Sequence, residues 1–465
     1  MRQCGSGESP VRTITSRMAA LALCAAVGLA AQTATAFRVP VSYYKLNNGL
    51  RVALSRDTTA PVAVVAVYYN IGFRIEPKDR TGFAHLFEHM MFQGSKNLGK
   101  MEMIKLVETN GGVLNGSTRF DFTNYFEVVP AHKLETMLWA EADRMKGLAI
   151  DESNLKNQQG VVSNEVKVNV LNQPYGGFPW LDMPQYANKN WYNAHNFYGE
   201  LKDIENATLA DVKAFFQRYY APNNAVLAVV GDFDEAQVKQ WVEKYFGAIP
   251  AQPQSAKPDL TEPRQEKEQV FARADKLARK PAIGVGYHIP ERGTPEHFAM
   301  VLLDQILLQG DDSLLNQELV KTRGYTENVE GGINLLGDAF DYNGPMLWIA
   351  NLIHDQAVKP EQIVAAIDKV VAQVQNAPVP QAALDRALVK FRAKFYDGLT
   401  QYGGVGKANT LACFALFEDN PALINEIEPG LRKVTPELAQ KVAREYLRSS
   451  NRTILKLTVE GGQGK

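Results

Sequence analysis

The sequence predicts an α+β fold made of two duplicated halves, on three observations. Strand–hairpin–helix units at the start of each half, and helix–strand units at its end, pack as helices layered on sheets. Thr208, Tyr219 and Asn224 have counterparts in Thr435, Tyr446 and Asn451, all at one offset of 227 residues. A cap, an aromatic and a turn residue sharing one offset point to duplication. Between the halves, residues 251–268 carry Pro253, Pro258 and Pro263 among Gln, Lys and Glu, which is linker composition.

Residues 1–36 read as an export signal peptide. Arg12 and Arg17 precede an apolar run from Met18 to Ala31, and Ala34-Thr35-Ala36 is a small-residue cleavage site. The run is too short for a membrane span. Its unbroken apolar core favours export over a mitochondrial presequence. No other segment could span a bilayer, so the mature chain is expected to be soluble, periplasmic or secreted. Cys4 and Cys24 leave with the signal, and Cys413 alone cannot form an internal disulfide. Within Leu411–Leu416 it reads as a buried, inert thiol. A net charge of −1 over 465 residues gives no basic excess for nucleic acid.

The first half, residues 37–250, opens with Tyr43–Leu46 and Leu50–Leu54 around Asn47-Asn48-Gly49, a hairpin signal. The apolar run Val62–Ile71 is a strand. A helix is expected from Thr81 to Gly94, buried because Phe83, Leu86, Phe87, Met90 and Met91 make it apolar nearly all round. Asp151 caps a helix that reaches Val166. Thr208 and Asp211 form a capping-box variant for a helix to Tyr220, and Pro222-Asn223-Asn224 turns it into strand Ala225–Val230. The second half, residues 269–465, repeats the plan with strand Ala282–His288 and helix Pro295–Leu308. Helix Thr435–Tyr446 then turns at Asn451 into strand Thr453–Val459. Gly403, Gly404 and Gly406 suggest a mobile loop. It is not a phosphate cradle, since no Gly-Lys-Ser/Thr follows it.

Inside the buried helix, His85-Leu86-Phe87-Glu88-His89 sets two imidazoles and a carboxylate at i, i+3 and i+4, on one face. This is the inverzincin order. Two His can hold a zinc ion while the carboxylate takes a proton from bound water. The bland alternative is a surface helix with scattered polar residues. It does not suit the apolar neighbours, because uncompensated polar burial is costly. Aligning Phe83-Ala84 with Phe298-Ala299 puts Met300, Leu303 and Asp304 where His85, Glu88 and His89 stand, so the second half has the scaffold without the metal face. Catalytic zinc takes three protein ligands. His132, His195, His288, His297 and His354 each read as ordinary surface or core residues. The residues alone leave Glu165, among Val161, Val162, Val166 and Val168, open between a solvated carboxylate and a ligand.

His-x-x-Glu-His with a Glu 76 residues after His89 resembles the pitrilysin/insulinase family of zinc peptidases. So do the duplicated halves, the segment Gly111–Thr118, and Tyr219-Tyr220-Ala221-Pro222-Asn223. The length resembles that of the two-subunit branch, which includes mitochondrial processing peptidase and exported bacterial heterodimers. The resemblance implies two α/β-roll domains, each a mostly antiparallel sheet with helices packed on it, forming a clam-like half-shell. It implies that His85, His89 and Glu165 hold one Zn2+ per chain and that Glu88 is the catalytic base. It implies that Asn115, Gly116, Ser117 and Thr118 lie on a sheet edge that receives a peptide substrate as an added strand. The bland reading of that Gly/Asn/Ser stretch is a turn. The implied function is a zinc metalloendopeptidase for peptides or unfolded polypeptides in extended conformation. A non-catalytic structural subunit of the same fold is the alternative.

Two departures from the family pattern matter. Many members carry a Glu seven residues before the metal Glu, whereas this chain has Gln158, which hydrogen-bonds but carries no charge. The Arg and Tyr, seven apart, that complete the family's sites by holding substrate and oxyanion are also missing. The corresponding segment is Leu319–Val329, where Val320 and Glu327, or Glu318 and Tyr325, stand at the pair. Arg323 and Tyr325 are expected to point apart. A homologous partner subunit is therefore expected to supply the pair, with this chain as the zinc-bearing member of a heterodimer.

Overall fold

Apolar strand-forming runs collect into two sheets. They are seen in a computed structural model that describes residues 37–254 and 256–460; the expected signal peptide, residues 1–36, lies outside the described residues. The first sheet contains β1 (Ser42–Lys45), β2 (Arg51–Arg56), β3 (Val62–Tyr69), β4 (Val113–Thr118), β5 (Thr123–Pro130) and β6 (Ala225–Gly231), in the order β1-β2-β6-β3-β5-β4. The second contains β7 (Gln269–Asp275), β8 (Ala282–His288), β9 (Glu330–Ile333), β10 (Leu347–Ile353) and β11 (Arg452–Val459), in the order β7-β11-β8-β10-β9. Leaving out β1, the two orders are the same. β2 runs parallel to β6 as β7 does to β11, and the remaining pairs are antiparallel. Ala225 of β6 stands opposite Tyr69 of β3, as Arg452 of β11 stands opposite Tyr287 of β8. The duplicated α+β architecture is therefore present down to register.

Helices α1 (Phe83–Met90), α2 (Leu134–Lys146), α3 (Glu152–Val166) and α4 (Leu209–Tyr219) share one core with the inward side chains Ala63, Val65, Val67 and Tyr69 of β3. The second half contributes α5 (Pro295–Leu307), α6 (Val405–Glu418) and α7 (Pro436–Tyr446). The opposite face of β3 carries Val64, Ala66 and Tyr68, which are equally buried. What covers this face is α6, a helix of the second half. Tyr68 donates a hydrogen bond to Asn409 of α6 at 3.0 Å. The exchange is mutual. Phe178, Met183 and Ala187 of the first half share a core with Ala282, Leu347, Ile349, Leu455 and Leu457 of the second. A Cβ at Gly284 or Gly286 of β8 would stand 3.0 Å from Met183, so glycine lets this segment lie against the sheet. Burial on both faces explains why these strands read as unbroken apolar runs rather than alternating ones.

Several elements differ from expectation. The helix carrying the His pair covers Phe83–Met90 rather than Thr81–Gly94, because Gly82 takes a left-handed φ of 79° and starts it late. Asn115–Thr118 lie on a sheet edge as the resemblance implied, not in the turn of the bland reading: Val113–Thr118 forms β4, the end strand of the first sheet. The linker is docked along the first half. Asn190 donates to the carbonyls of Asp259 and Thr261 and Asn193 donates to that of Leu260, while the buried Gln265 donates to the Arg452 carbonyl of the second half. The expected glycine loop packs against Val62, Val128 and Val230 of the first sheet. Cys413 is buried, as expected.

Candidate metal centre

Helix α1 is short, and several groups from outside it fix its position. Gly82 has no side chain with which to cap the first turn. Glu76, fully buried, does so from a distance, accepting from the amides of Gly82 at 2.8 Å and Ala84 at 2.5 Å. Thr81 donates to Asp203 at 2.6 Å and accepts from the Glu200 amide. Farther along, the Tyr125 hydroxyl, itself 3.2 Å from that of Tyr220, donates to the Phe87 carbonyl at 3.1 Å. Helix α3 begins at Asp151, whose side chain accepts from the Asn154 amide at 2.8 Å as expected of a cap. It packs along α1 and brings Glu165 opposite the two imidazoles near its end.

The three side chains converge. His85 Nε2 and His89 Nε2 are 3.3 Å apart, and the Glu165 oxygens lie 3.5 Å from His85 Nε2 and 3.1 Å from His89 Nε2. Zinc bonds of about 2.0–2.1 Å in a tetrahedron place donor atoms about 3.3 Å apart. The donor set fits that ion in both chemistry and spacing. Among the described residues it is the one group of three or more His, Cys, Asp or Glu side chains able to hold a metal. His85 is 5% exposed, whereas the His89 and Glu165 side chains are 22% and 29% exposed, so the centre opens on one side. Hydrogen bonding to His85 and His89 holds the Glu165 carboxyl well below the usual carboxylate range. The Tyr198 ring meets His85 edge-on at 5.1 Å.

The other expected site residues fall around this centre. Glu88 lies beside it and accepts a hydrogen bond from the Thr118 hydroxyl at 2.7 Å. Asn115, Gly116, Ser117 and Thr118 occupy β4, whose outer edge has no strand beside it among the described residues. Asn115 accepts from the Gly116 amide, and Ser117 donates to Asn124 at 2.6 Å. Thr118 is only 5% exposed. Gln158 is buried on α3, two turns before Glu165. Sequence reasoning missed Glu76 and Tyr198. The sequence carried no local signal for either, because each reaches α1 from a separate segment.

Residues 51–190 match the family described as Insulinase (Peptidase family M16), and residues 206–390 match the Peptidase M16 inactive domain. The chain belongs to the M16 peptidase family. The zinc protease PqqE of Helicobacter pylori is 28% identical over 88% of this chain and 90% of its own length. Human cytochrome b-c1 complex subunit 1, mitochondrial, is 24% identical over 56% of this chain and 54% of its own. The crystal structure of a protease from Helicobacter pylori, 25% identical, superimposes with a TM-score of 0.82 and covers 91% of this chain and all of that one.

Among the described residues, the second half holds no group of three metal-ligating side chains like that of the first. Asp304, at the position aligned with His89, is buried and accepts from Trp348 Nε1 at 2.7 Å, and burial pushes its carboxyl up to about 6. His195, His288, His297 and His354 each have backbone or side-chain partners of their own, so none is needed at the centre. Arg323 and Tyr325, expected to diverge, are in contact: Arg323 donates to the Tyr325 hydroxyl at 3.3 Å and to Glu318 at 2.7 Å. The π-helical segment Asn316–Thr322 ends there, and Gly324 at φ 61° reverses the chain, bringing residues two apart to one side.

Proposed function

We propose that this M16 chain is an exported zinc metalloendopeptidase that cleaves peptides or unfolded polypeptides in extended conformation. His85, His89 and Glu165 would hold one zinc ion, and Glu88 would be the base. The observation that carries this reading is the convergence of two imidazoles and a carboxylate at tetrahedral spacing with Glu88 alongside. Zinc, when bound, lowers the pKa of a water and polarises the substrate carbonyl. Glu88 takes the proton that water releases and returns it to the leaving amine nitrogen. The free edge of β4 would align the peptide through main-chain hydrogen bonds, which reads shape more than side chains. Gln158 would support the centre by hydrogen bonding without adding charge.

We read residues 37–250 as the catalytic domain and 269–465 as its homologous partner domain. A second, homologous subunit would supply the Arg/Tyr pair that no segment here provides. Likeness to a cytochrome b-c1 subunit supports a second reading, a non-catalytic structural subunit. The convergent ligand set and Glu88 favour catalysis. Glu88→Gln separates the two. As a peptidase, the variant should retain zinc and lose hydrolysis by roughly 10²-fold or more. Unchanged function in that variant would favour the structural role.

A further inference from the structure

We propose that Thr118 is a positioning residue for Glu88, holding one carboxylate oxygen so that the other receives the proton. The proposal rests on the peptidase reading above. Thr118 closes β4, and its backbone is fixed in register opposite Thr123 of β5. Its hydroxyl lies 2.7 Å from Glu88 Oε2 and 3.4 Å from the Ala84 carbonyl. With one proton to give, it donates to the nearer and charged acceptor, the stronger of the two bonds. Glu88 Oε1 has no hydrogen-bond partner among the described residues. The two oxygens are thus unequal: Oε2 is held and Oε1 is open.

A glutamate side chain is otherwise free about three torsions, and ordering it costs free energy at each turnover unless it is already held. Threonine suits this task because β-branching restricts its first torsion, so the strand itself aims the hydroxyl. The same strand carries Asn115, Gly116 and Ser117 along its free edge. The hydroxyl that holds the base and the peptide-receiving edge therefore belong to one strand. A direct contact with substrate suits Thr118 less well, because the side chain is buried and its proton already committed.

The test uses the full chain, with its partner subunit if activity requires one. Thr118→Val keeps shape and removes the hydroxyl; Thr118→Ser keeps the hydroxyl. The proposal expects Thr118→Val to lose kcat by roughly 10–100-fold, with KM, zinc content and Tm unchanged, and Thr118→Ser to recover most of the loss. The carboxyl ¹³C resonance of Glu88, assigned by its absence in Glu88→Gln, should shift in Thr118→Val whether or not turnover is measured. An unchanged kcat or an unmoved resonance in Thr118→Val would overturn the proposal. So would a rise in KM alone, or a fall in Tm that Thr118→Ser does not restore. A wild-type chain that binds no zinc and cleaves nothing refutes the peptidase reading itself, a different result.

Discussion

At the scale of residues, His85, Glu88 and His89 could be read from the chain because helical periodicity alone puts them on one face. Glu165 could not be fixed that way. Its approach depends on α3 packing along α1, a contact between segments 76 residues apart in sequence. Removing it should therefore be felt at the metal: Glu165→Gln is expected to weaken zinc binding by more than about tenfold in isothermal titration, leaving the fold intact. Glu76 was invisible for the same reason, and so was the bond from Thr118, expected only on the substrate edge, to Glu88, since each acts on α1 from a separate element. Glu76 also makes a prediction about pH. Burial raises its carboxyl from 4.5 to about 8. Between those values the folded chain keeps a proton that the unfolded chain releases, so this group's contribution to stability falls as pH rises through that interval. Tm measured from pH 5 to 8 should drop, and Glu76→Gln should flatten the slope. An equally steep slope in the variant would assign it to other groups.

Among the elements, apolar runs and caps were the legible part. β8 and β6 were placed almost to the residue because burial on both faces leaves no polar interruption. β9 was missed, since Gly331 and Gly332 make up half of its four residues and glycine is depleted in strands. The edge strand β4 was expected only through family resemblance, because its Asn-Gly-Ser-Thr sequence reads as a turn. Helix α3 shows how an ordinary cap serves the site. Asp151 sets where the helix starts, and the helix carries Glu165 to α1. Asp151→Ala should cost about 1 kcal/mol in denaturant unfolding. If the loss exceeds several kcal/mol, Asp151 does more than cap.

For the whole molecule, the sequence divides into two halves, yet each half covers the other's sheet. Helix α6 lies over β2, β3 and β6, and Phe178–Ala187 lies over the second sheet. The sequence showed the duplication and could not show the exchange, because nothing local says which sheet a helix will cover. Cleavage of the docked linker should therefore leave the two fragments together. A nicked chain is expected to elute as one particle in size-exclusion chromatography, and residues 37–250 expressed alone should aggregate, having lost α6. Fragments that separate cleanly and stay soluble would refute the exchange.

Three side chains from two helices are proposed to hold a zinc ion. X-ray absorption at the zinc edge, on protein purified without added metal, tests this most directly. The expected result is about one zinc per chain with two imidazole nitrogens and carboxylate or water oxygen at about 2.0–2.2 Å, and loss of that signal in His85→Ala. A chain free of zinc, or a zinc signal unchanged by His85→Ala, would contradict it.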